Sequence, residues 1–203
     1  MSELLVRRAE AKEVDAVAEV FAAASMDEVV SAWVMEDHAE IAEAFRVKYA
    51  RELIENAIRD DEVWLAGADE DIWAVSLWQT VTSLDRVHRE AVEARELSEN
   101  SGLQPFRRMA AVTAAVAANH PPVFPHRYLH VIVTLPQHRG KGAGAAIVNQ
   151  RAKAASEAGV PAYLEASIER SARLYERCGF VRDGDPILLP ENGPTLRPMW
   201  FRG

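Results

Sequence analysis

Three alternating glycines, with two cations beside them, stand past the middle of the chain. The segment reads Arg139-Gly140-Lys141-Gly142-Ala143-Gly144 and separates an apolar strand pattern from a helical pattern. Glycine has no Cβ, so the backbone here can approach a ligand closely. The N-terminus of the following helix offers free N–H groups and the positive end of a dipole. This segment, called the glycine loop below, predicts a phosphate or pyrophosphate site, with a tight strand-to-helix turn as the plainer alternative.

Two common phosphate-binding motifs do not account for the glycine loop. A nucleotide P-loop places Ser or Thr after Gly-Lys to reach magnesium, whereas Lys141 is followed by Gly142. A dinucleotide fingerprint fits formally as Gly140-x-Gly142-x-x-Ala145, with Glu165 about 20 residues further on. However, that fingerprint usually opens a long run of strand–helix units, and only one crossover remains after this loop. A dinucleotide oxidoreductase is therefore the weaker alternative.

The better description of the loop is Arg-x-x-Gly-x-Gly, which Arg139, Gly142 and Gly144 meet. A second segment, 171–180, reads Ser-Ala-Arg-Leu-Tyr-Glu-Arg-Cys-Gly-Phe. Together the two segments resemble the Gcn5-related N-acetyltransferase (GNAT) superfamily, which has such a loop between its fourth strand and third helix and a short helix ending in Gly-Phe. The resemblance implies a mixed sheet with splayed fourth and fifth strands, and an enzyme that uses acetyl-CoA as cosubstrate.

The resemblance also implies where the cofactor binds. The N–H groups of the glycine loop would hold the CoA pyrophosphate. The end of the preceding strand, Ile132-Val133-Thr134, would lend backbone groups to the pantetheine arm. Ser171 stands where the family often has Asn and keeps a side chain that can hydrogen-bond to the cofactor. The loop residues concerned are Arg139, Gly140, Lys141, Gly142, Ala143 and Gly144.

Three side chains are candidates for proton transfer on the same resemblance. Tyr175 occupies the position of the family's usual general acid, and a phenol is a neutral donor at pH 7. Glu165 on the predicted fifth strand and His130 on the fourth are alternative bases, and the sequence does not decide between them. The expected nucleophile is the substrate's own nitrogen instead of Cys178. Each residue also has a purely structural interpretation: Tyr175 as a core tyrosine, Glu165 as a structural carboxylate and His130 as a core histidine.

A narrower resemblance, to the puromycin N-acetyltransferase group, extends over most of the chain. It is carried by residues 158–167 (Ala-Gly-Val-Pro-Ala-Tyr-Leu-Glu-Ala-Ser), by Val63-Trp64-Leu65-Ala66 and by the helical segment before the fourth strand. It implies that the acceptor is a primary amine of a small molecule and not a protein. Residues 25–38 do not follow that group, so the identity of the amine stays open. A non-catalytic acyl-CoA-binding sensor is the alternative function, and the presence of Tyr175 argues against it.

The elements that must position these residues follow from hydrophobic periodicity. Apolar runs predict strands at 128–135 and 162–166, on either side of the glycine loop and its helix, Ala145–Ala158. The complete order is strand, helices, two strands, a helical insertion at about 83–125, then strand–helix–strand–helix–strand–strand. This order predicts one α/β domain over residues 1–203 with a mixed central β-sheet, parallel at the crossover. Segment 26–37 lacks clean periodicity.

Composition and charge disfavour several classes of partner. The formal net charge of −8 argues against nucleic acid and anionic membranes and mildly favours cationic ligands. No apolar run approaches the roughly 20 residues of a membrane span, and no secretory signal opens the chain. Because Cys178 is also the only cysteine, a cytoplasmic location is expected. Many GNAT members are dimers, so the resemblance raises a homodimer as one option.

Acidic pairs and histidines outside these motifs carry weaker expectations. No metal site is predicted, since Cys178 has no ligand at suitable spacing. The acidic pairs Asp27-Glu28 and Glu36-Asp37 are candidates to attract a cationic amine, although solvated helix ends are the simpler explanation of each. His126 and His138 are expected at the surface, and His120 near the acceptor pocket.

Overall fold

The structure, a computed structural model, describes residues 4–69 and 71–203. Its strands are β1 (Leu5–Arg8), β2 (Glu62–Ala68), β3 (Asp71–Val81), β4 (His126–Thr134), β5 (Ala162–Ala166), β6 (Val181–Arg182), β7 (Ile187–Leu188) and β8 (Thr195–Phe201). Its α-helices are α1 (Val14–Ser25), α2 (Val29–Val34), α3 (Ala39–Asp60), α4 (Asp85–Ser101), α5 (Gln104–Asn119), α6 (Ala143–Glu157) and α7 (Glu169–Arg177). Short 3₁₀ turns at Ala11–Glu13 and Pro136–His138 precede α1 and the glycine loop.

The strands form a mixed sheet in the order β1-β2-β3-β4-β5-β8-β6, and β7 pairs with β8. Strands β4 and β5 are parallel, whereas the other neighbouring pairs are antiparallel. A parallel pair needs a crossover, and the glycine loop and α6 supply it. The predicted α/β class and the parallel crossover are therefore confirmed.

Strands β4 and β5 pair over a short stretch and then part. Their register joins Arg127 to Ala162 and ends at Leu129 with Leu164, although β4 continues to Thr134. The register of β4 with β3 also shifts, because Leu77 faces Val131 while the next residue of β3 faces Leu129. His130 is thus the extra residue of a β-bulge, a feature that bends a strand and redirects its side chains. The splayed fourth and fifth strands implied by the sequence are confirmed.

Different helices cover the two faces of the sheet. On one face α1 and α3 pack on β2, β3 and β4, with Val17 and Ile54 fully buried. On the other face α6 and α7 pack on β4, β5 and β8, with Val148 and Met199 fully buried. Because Ile54 is 0% exposed, its truncation to Ala would cost about 2–5 kcal/mol of stability. The gap between β4 and β5 therefore lies in a sheet that is well packed on both faces.

The helical insertion consists of two helices that pack on each other, α4 and α5. Gly102 follows α4 with a left-handed φ of 66°, a conformation that glycine adopts without strain. Pro105 lies in the first turn of α5, where its missing N–H would have had no helical partner. The two residues that break the helical pattern in the sequence thus mark the boundary between the helices.

Local details differ from the expectations for three segments. Segment 26–37 contains the six-residue helix α2, which is too short for its periodicity to be recognised. The two-residue strand β6 has no pattern that would predict it. The expected surface position of His126 is wrong, since that residue is 0% exposed and contacts Trp200 and Tyr163. The ring of His126 is covered by aromatic side chains from distant segments of the chain.

None of the described helices is both long and apolar enough to cross a bilayer. Within residues 4–69 and 71–203, no group of three or more His, Cys, Asp or Glu side chains is placed to hold a metal ion. Cys178 is a buried free cysteine, and burial raises the pKa of its thiol. A raised thiol pKa leaves little of the nucleophilic thiolate at neutral pH, which fits a packing role.

Candidate active site

The glycine loop presents free backbone N–H groups at the start of α6. Gly140 and Gly142 have φ values of +78° and +90°, which side-chain-bearing residues adopt only with strain. The first helical hydrogen bond runs from Ala146 N to Gly142 O at 2.9 Å, and no side chain caps this end. The N–H groups of Ala143 and Gly144 precede that bond and have no helical partner. The loop can therefore bind an anion through its backbone.

The end of β4 lies directly against this loop. A Cβ placed on Gly144 would stand 3.5 Å from Thr134 Oγ1 and 3.7 Å from Ile132 Cδ1. Val133 points its buried side chain into the core under α1 and α3, so it offers only its backbone to the gap. Pairing with β5 has already ended at Leu129, which leaves this edge of β4 facing the gap. The predicted cofactor residues of β4 and of the loop are thus brought together.

The two cations of the loop take different directions. Lys141 remains at the surface with its Nζ 5.3 Å from the Trp73 ring centroid, and His138 stacks on the same ring at 4.4 Å. The Arg139 guanidinium turns toward the end of α1. It donates to both carboxylate oxygens of Asp27 at 2.5 Å and to the carbonyl oxygen of Thr134 at 3.0 Å. This contact holds the pKa of the Asp27 carboxyl below its ordinary value.

Tyr175 lies on α7, in the same buried cluster as Leu129 and Leu164, the last pair before β4 and β5 part. It is 8% exposed and packs beside Phe180 with ring centroids 6.2 Å apart. Burial raises the pKa of its phenol, and the nearby carboxylate of Glu28 raises it further. The phenol is therefore held in its neutral, proton-donating form. Ser171 lies one helical turn earlier on α7, with its side chain half-buried.

Glu165 on β5 combines burial with a hydrogen bond from a tyrosine. The Tyr128 hydroxyl donates to Glu165 Oε2 at 2.8 Å. The other oxygen, Oε1, and the hydroxyl of Tyr163 are buried and form no hydrogen bond of ordinary geometry, although the two side chains are close enough for the tyrosine to lower the pKa of Glu165. Burial raises the pKa of Glu165 to about 7, although the hydrogen bond from Tyr128 opposes the rise. A carboxylate with this pKa can exchange a proton near neutral pH, as a general base must.

His130 occupies the bulge of β4, with its ring centroid 5.6 Å from that of Tyr128. Its side chain is exposed, although the surrounding protein lowers the pKa of the imidazole. The carboxylate of Glu90 and the guanidinium of Arg86 face it from α4. Arg86 donates to Glu90 at 2.8 Å and is anchored to Asp61 by two bonds of 2.6 and 2.8 Å. Charged side chains of α4, the first helix of the insertion, therefore lie close enough to His130 to influence its charge.

A histidine pair that the sequence did not indicate lies behind Tyr128 and Tyr163. His120 and His126 approach at 3.1 Å between their Nε2 atoms, and His126 Nδ1 is 2.6 Å from the carbonyl oxygen of Val123. A carbonyl only accepts, so His126 carries its proton on Nδ1 and must accept from His120 at Nε2. His120 Nδ1 is then a bare, buried acceptor without a partner. Burial lowers the pKa of His120 to about 4, which keeps the ring neutral.

Most of the predicted site residues border the gap between β4 and β5. The loop and the end of β4 line one side through backbone atoms, and Tyr175, Glu165 and His130 contribute side chains around it. Two side chains point elsewhere: that of Arg139 toward Asp27 and that of Val133 into the core. Sequence reasoning named Glu28 only as part of an acidic pair and did not find Tyr128, whose only signal was its apolar strand. A site with an anion-binding end, a neutral proton donor and a carboxylate of pKa about 7 is suited to acyl transfer.

Comparisons with known proteins agree with this arrangement. Residues 84–180 match the model of the acetyltransferase (GNAT) family. Among solved structures, "histone acetyltransferase HPA2 and related acetyltransferase" of Corynebacterium glutamicum is 25% identical, with a TM-score of 0.67 over 99% of this chain and 96% of that chain.

Two insect enzymes share the fold at lower identity. The Drosophila melanogaster polyamine N-acetyltransferase is 18% identical, with a TM-score of 0.61 over 99% of this chain and 100% of that chain. Arylalkylamine N-acetyltransferase 2 of Aedes aegypti is 14% identical, with a TM-score of 0.70 over 98% of both chains. The matched segment, just under half of the chain, and the splayed strands beside the glycine loop make this chain similar to the GNAT acetyltransferases in sequence and in fold.

Proposed function

We propose that this protein transfers an acetyl group from acetyl-CoA to a primary amine of a small molecule, by direct attack of the amine, with residues 1–203 acting as one catalytic domain. The observation that carries the proposal is the parting of β4 and β5 after Leu129 and Leu164. This gap has free N–H groups at one end and Tyr175 and Glu165 beside it. An acyl thioester and an amine can meet there without a covalent enzyme intermediate.

The chain fits acetyl-CoA through backbone groups. The N–H groups at the start of α6 suit a pyrophosphate, and the glycines at 142 and 144 leave the approach open. The unpaired edge of β4 at Ile132, Val133 and Thr134 suits the amide groups of the pantetheine arm. Lys141 adds a positive charge at the surface, and Ser171 adds a hydroxyl on α7. When bound, acetyl-CoA supplies the activated acetyl thioester, which the chain itself lacks.

The base in this proposal is Glu165. It takes a proton from the acceptor nitrogen, so that the lone pair becomes available for attack on the thioester carbonyl carbon. Its pKa of about 7 makes the carboxylate form abundant at neutral pH while keeping it basic enough to accept a proton. His130 has a lowered imidazole pKa and lines the approach to the gap, so its role is secondary.

The acid in this proposal is Tyr175. As the new carbon–nitrogen bond forms and the carbon–sulfur bond breaks, Tyr175 gives its phenolic proton to the departing sulfur. Its raised pKa keeps the proton in place until then. An ammonium substrate loses two protons on becoming an amide: the first leaves to solvent through Glu165, and the second restores the phenol of Tyr175, whose own proton ends on the thiol.

A small amine is the proposed acceptor class. The insect enzymes with this fold are named for polyamines and arylalkylamines, and an agmatine N-acetyltransferase has the same fold at 16% identity. The net charge of −8 and the acidic groups on α4 favour a cationic ligand. The helical insertion brings Glu90 of α4 near His130, and a carboxylate there suits a cationic amine.

Thiol release from acetyl-CoA tests the proposal directly. The purified protein is incubated with acetyl-CoA and a panel of spermidine, agmatine, phenethylamine, tyramine and puromycin, and free thiol is followed by colour formation. Amine-dependent release is expected, with an acetylated amine of matching amount by mass spectrometry. Release without amine would indicate hydrolysis, and acetyl-CoA binding without release for any amine would contradict the proposed acceptor class.

A further inference from the structure

We propose that His120 is a positioning residue for the proposed base: when Glu165 holds the proton of the amine, His120 Nδ1 accepts the hydroxyl proton of Tyr163. His126 keeps His120 in the tautomer that can accept there. The inference rests on the proposed acetyl transfer and deepens it, because it gives a task to a buried histidine pair that the transfer itself does not use.

Three buried polar atoms without an ordinary hydrogen bond lie on adjoining side chains. They are His120 Nδ1, the Tyr163 hydroxyl and Glu165 Oε1, which make up half of the six such side-chain atoms among the residues that the structure describes. The rings of His120 and Tyr163 meet edge-on with centroids 5.4 Å apart, and Tyr163 is close enough to Glu165 to lower the pKa of that carboxyl. Tyr163 therefore adjoins two acceptors and has one proton to give.

The histidine pair fixes which nitrogen of His120 is free to accept. The carbonyl oxygen of Val123 accepts from His126 Nδ1, so His126 Nε2 accepts from His120 Nε2, 3.1 Å away. His120 Nδ1 is left with a lone pair and no proton, and burial lowers the pKa of His120 to about 4, which keeps the ring neutral. Because a carbonyl cannot pass a proton on, the pair ends the chain of hydrogen bonds and does not conduct protons to solvent.

The protonation state of Glu165 decides which acceptor receives the Tyr163 proton. When Glu165 is a carboxylate, its Oε1 takes that proton and His120 Nδ1 stays buried and unsatisfied. When Glu165 is a carboxylic acid, Oε1 carries the amine's proton and donates it to the Tyr163 oxygen, so the hydroxyl proton turns to His120 Nδ1. All three atoms are then satisfied. Since an unsatisfied buried acceptor costs free energy, His120 favours the protonated form and makes Glu165 a stronger base.

The other groups around Glu165 have separate contacts. The Tyr128 hydroxyl occupies Oε2 and favours the carboxylate form. Burial raises the pKa of the Tyr163 phenol, so the tyrosine keeps a proton throughout. The residue opposite Glu165 on β8 is Pro198, which carries no charge. The charged or titratable groups of the neighbouring elements include Glu90 on α4, His130 on β4 and Arg197 on β8.

Two variants of His120 separate its free nitrogen from its bulk. The side-chain amide of Asn can place an oxygen near the position of Nδ1, whereas that of Gln reaches the position of Nε2. His120→Asn therefore keeps an acceptor for Tyr163, and His120→Gln keeps only the contact with His126. In the pH profile of kcat/KM, His120→Gln should lower the inflection from about 7 by about one pH unit, and His120→Asn should leave it in place. His88→Gln, an exposed change on α4, is the control.

Tyr163→Phe tests whether His120 acts through the tyrosine. In that background His120→Asn and His120→Gln should have the same inflection, because the hydroxyl that distinguishes them is gone. A purely structural role for His120 predicts instead lower thermal stability and equal losses of kcat in both variants, with no difference in inflection. An unshifted inflection in His120→Gln, or a difference that persists without the Tyr163 hydroxyl, would overturn the proposal.

NMR spectroscopy tests the proposal without turnover. With ¹⁵N-labelled histidine in the unmodified protein, His120 should carry its proton on Nε2 and His126 on Nδ1, and a proton on His120 Nδ1 would contradict the proposal. With ¹³C-labelled glutamate, the Glu165 carboxyl should titrate about one pH unit lower in His120→Gln than in the unmodified protein. Absence of thiol release would contradict the proposed function, while these spectra still decide the role of His120.

Discussion

The two sides of the gap between β4 and β5 are built from different kinds of group. The cofactor side, named for the acetyl-CoA of the proposed reaction, consists of backbone N–H groups of the glycine loop and the unpaired edge of β4, with little contribution from charged side chains. The acceptor side, named for the proposed amine, consists of ionisable side chains that come from separate elements: Glu165, Glu28, Tyr175 and His130. In the proposed reaction, the first side recognises its ligand through the main chain and the second recognises the amine through side chains.

This difference gives each side its own sensitivity. Backbone recognition depends on φ angles that only glycine adopts easily, so changes in conformation should disturb it and changes in charge should not. The acceptor side depends on pKa values and hydrogen bonds, so conservative changes in charge should disturb it while the cofactor still binds. Variants that separate cofactor affinity from turnover therefore test the comparison.

The largest effect is expected for Tyr175→Phe. Removal of the phenolic proton forces the sulfur to leave as a thiolate, and kcat should fall by about 10²–10⁴-fold, as for loss of general acid catalysis. The Kd of acetyl-CoA should not change, because the cofactor side is intact. Thiol-release assays measure kcat, and calorimetry measures the Kd of acetyl-CoA. A parallel loss of cofactor affinity would show that the two sides of the gap are not independent.

Glu165→Gln should have the next largest effect, with a distinct pH dependence. In the unmodified protein the base acts only when deprotonated, so kcat/KM should rise with pH through about 7 and then level off. The variant should lose about 10²-fold in kcat/KM at pH 7.5 together with that inflection.

His130→Gln is the matched comparison for the base, since His130 and Glu165 both contact Tyr128. It should keep the inflection and lose activity only modestly. If the inflection instead persists in Glu165→Gln and disappears in His130→Gln, the two residues exchange roles. This outcome would leave the comparison of the two sides intact, since both residues belong to the acceptor side.

The difference between backbone groups and side chains also explains how much of each side could be predicted from the sequence. The glycine loop was predictable because a positive φ at Gly140 and Gly142 restricts those positions to one residue type. The acceptor side was not, because its contacts join distant segments: Glu28 and Ser167 are 139 residues apart. The bulge at His130 was equally hidden, since a continuous apolar run has no feature that marks an extra residue. The role of Tyr128 was missed because its hydroxyl meets Glu165 only when β4 and β5 pair in the folded protein.

A smaller effect, confined to the cofactor side, is expected for Gly142→Ala. A side chain at a φ of +90° costs roughly 1–2 kcal/mol, so the Kd of acetyl-CoA should rise about tenfold while kcat at saturation is preserved. Gly102→Ala is the control, because Gly102 has a similar φ of +66° at the end of α4, away from the loop. It should lower thermal stability and leave cofactor affinity unaltered. Equal losses of affinity in both variants would point to general destabilisation.

The smallest effect is a shift of pH profile in Tyr128→Phe. The hydrogen bond from Tyr128 stabilises the charged form of Glu165 and lowers its pKa, so removing it should move the inflection of kcat/KM upward from about 7. Activity at pH 7 should then fall by a few-fold, because a smaller fraction of Glu165 is deprotonated, and should recover at higher pH. The double variant Tyr128→Phe/Glu165→Gln should have the profile of Glu165→Gln alone, since the tyrosine acts through the carboxylate. A downward shift, or a shift that persists without Glu165, would mean that the base on the acceptor side is tuned by a different group.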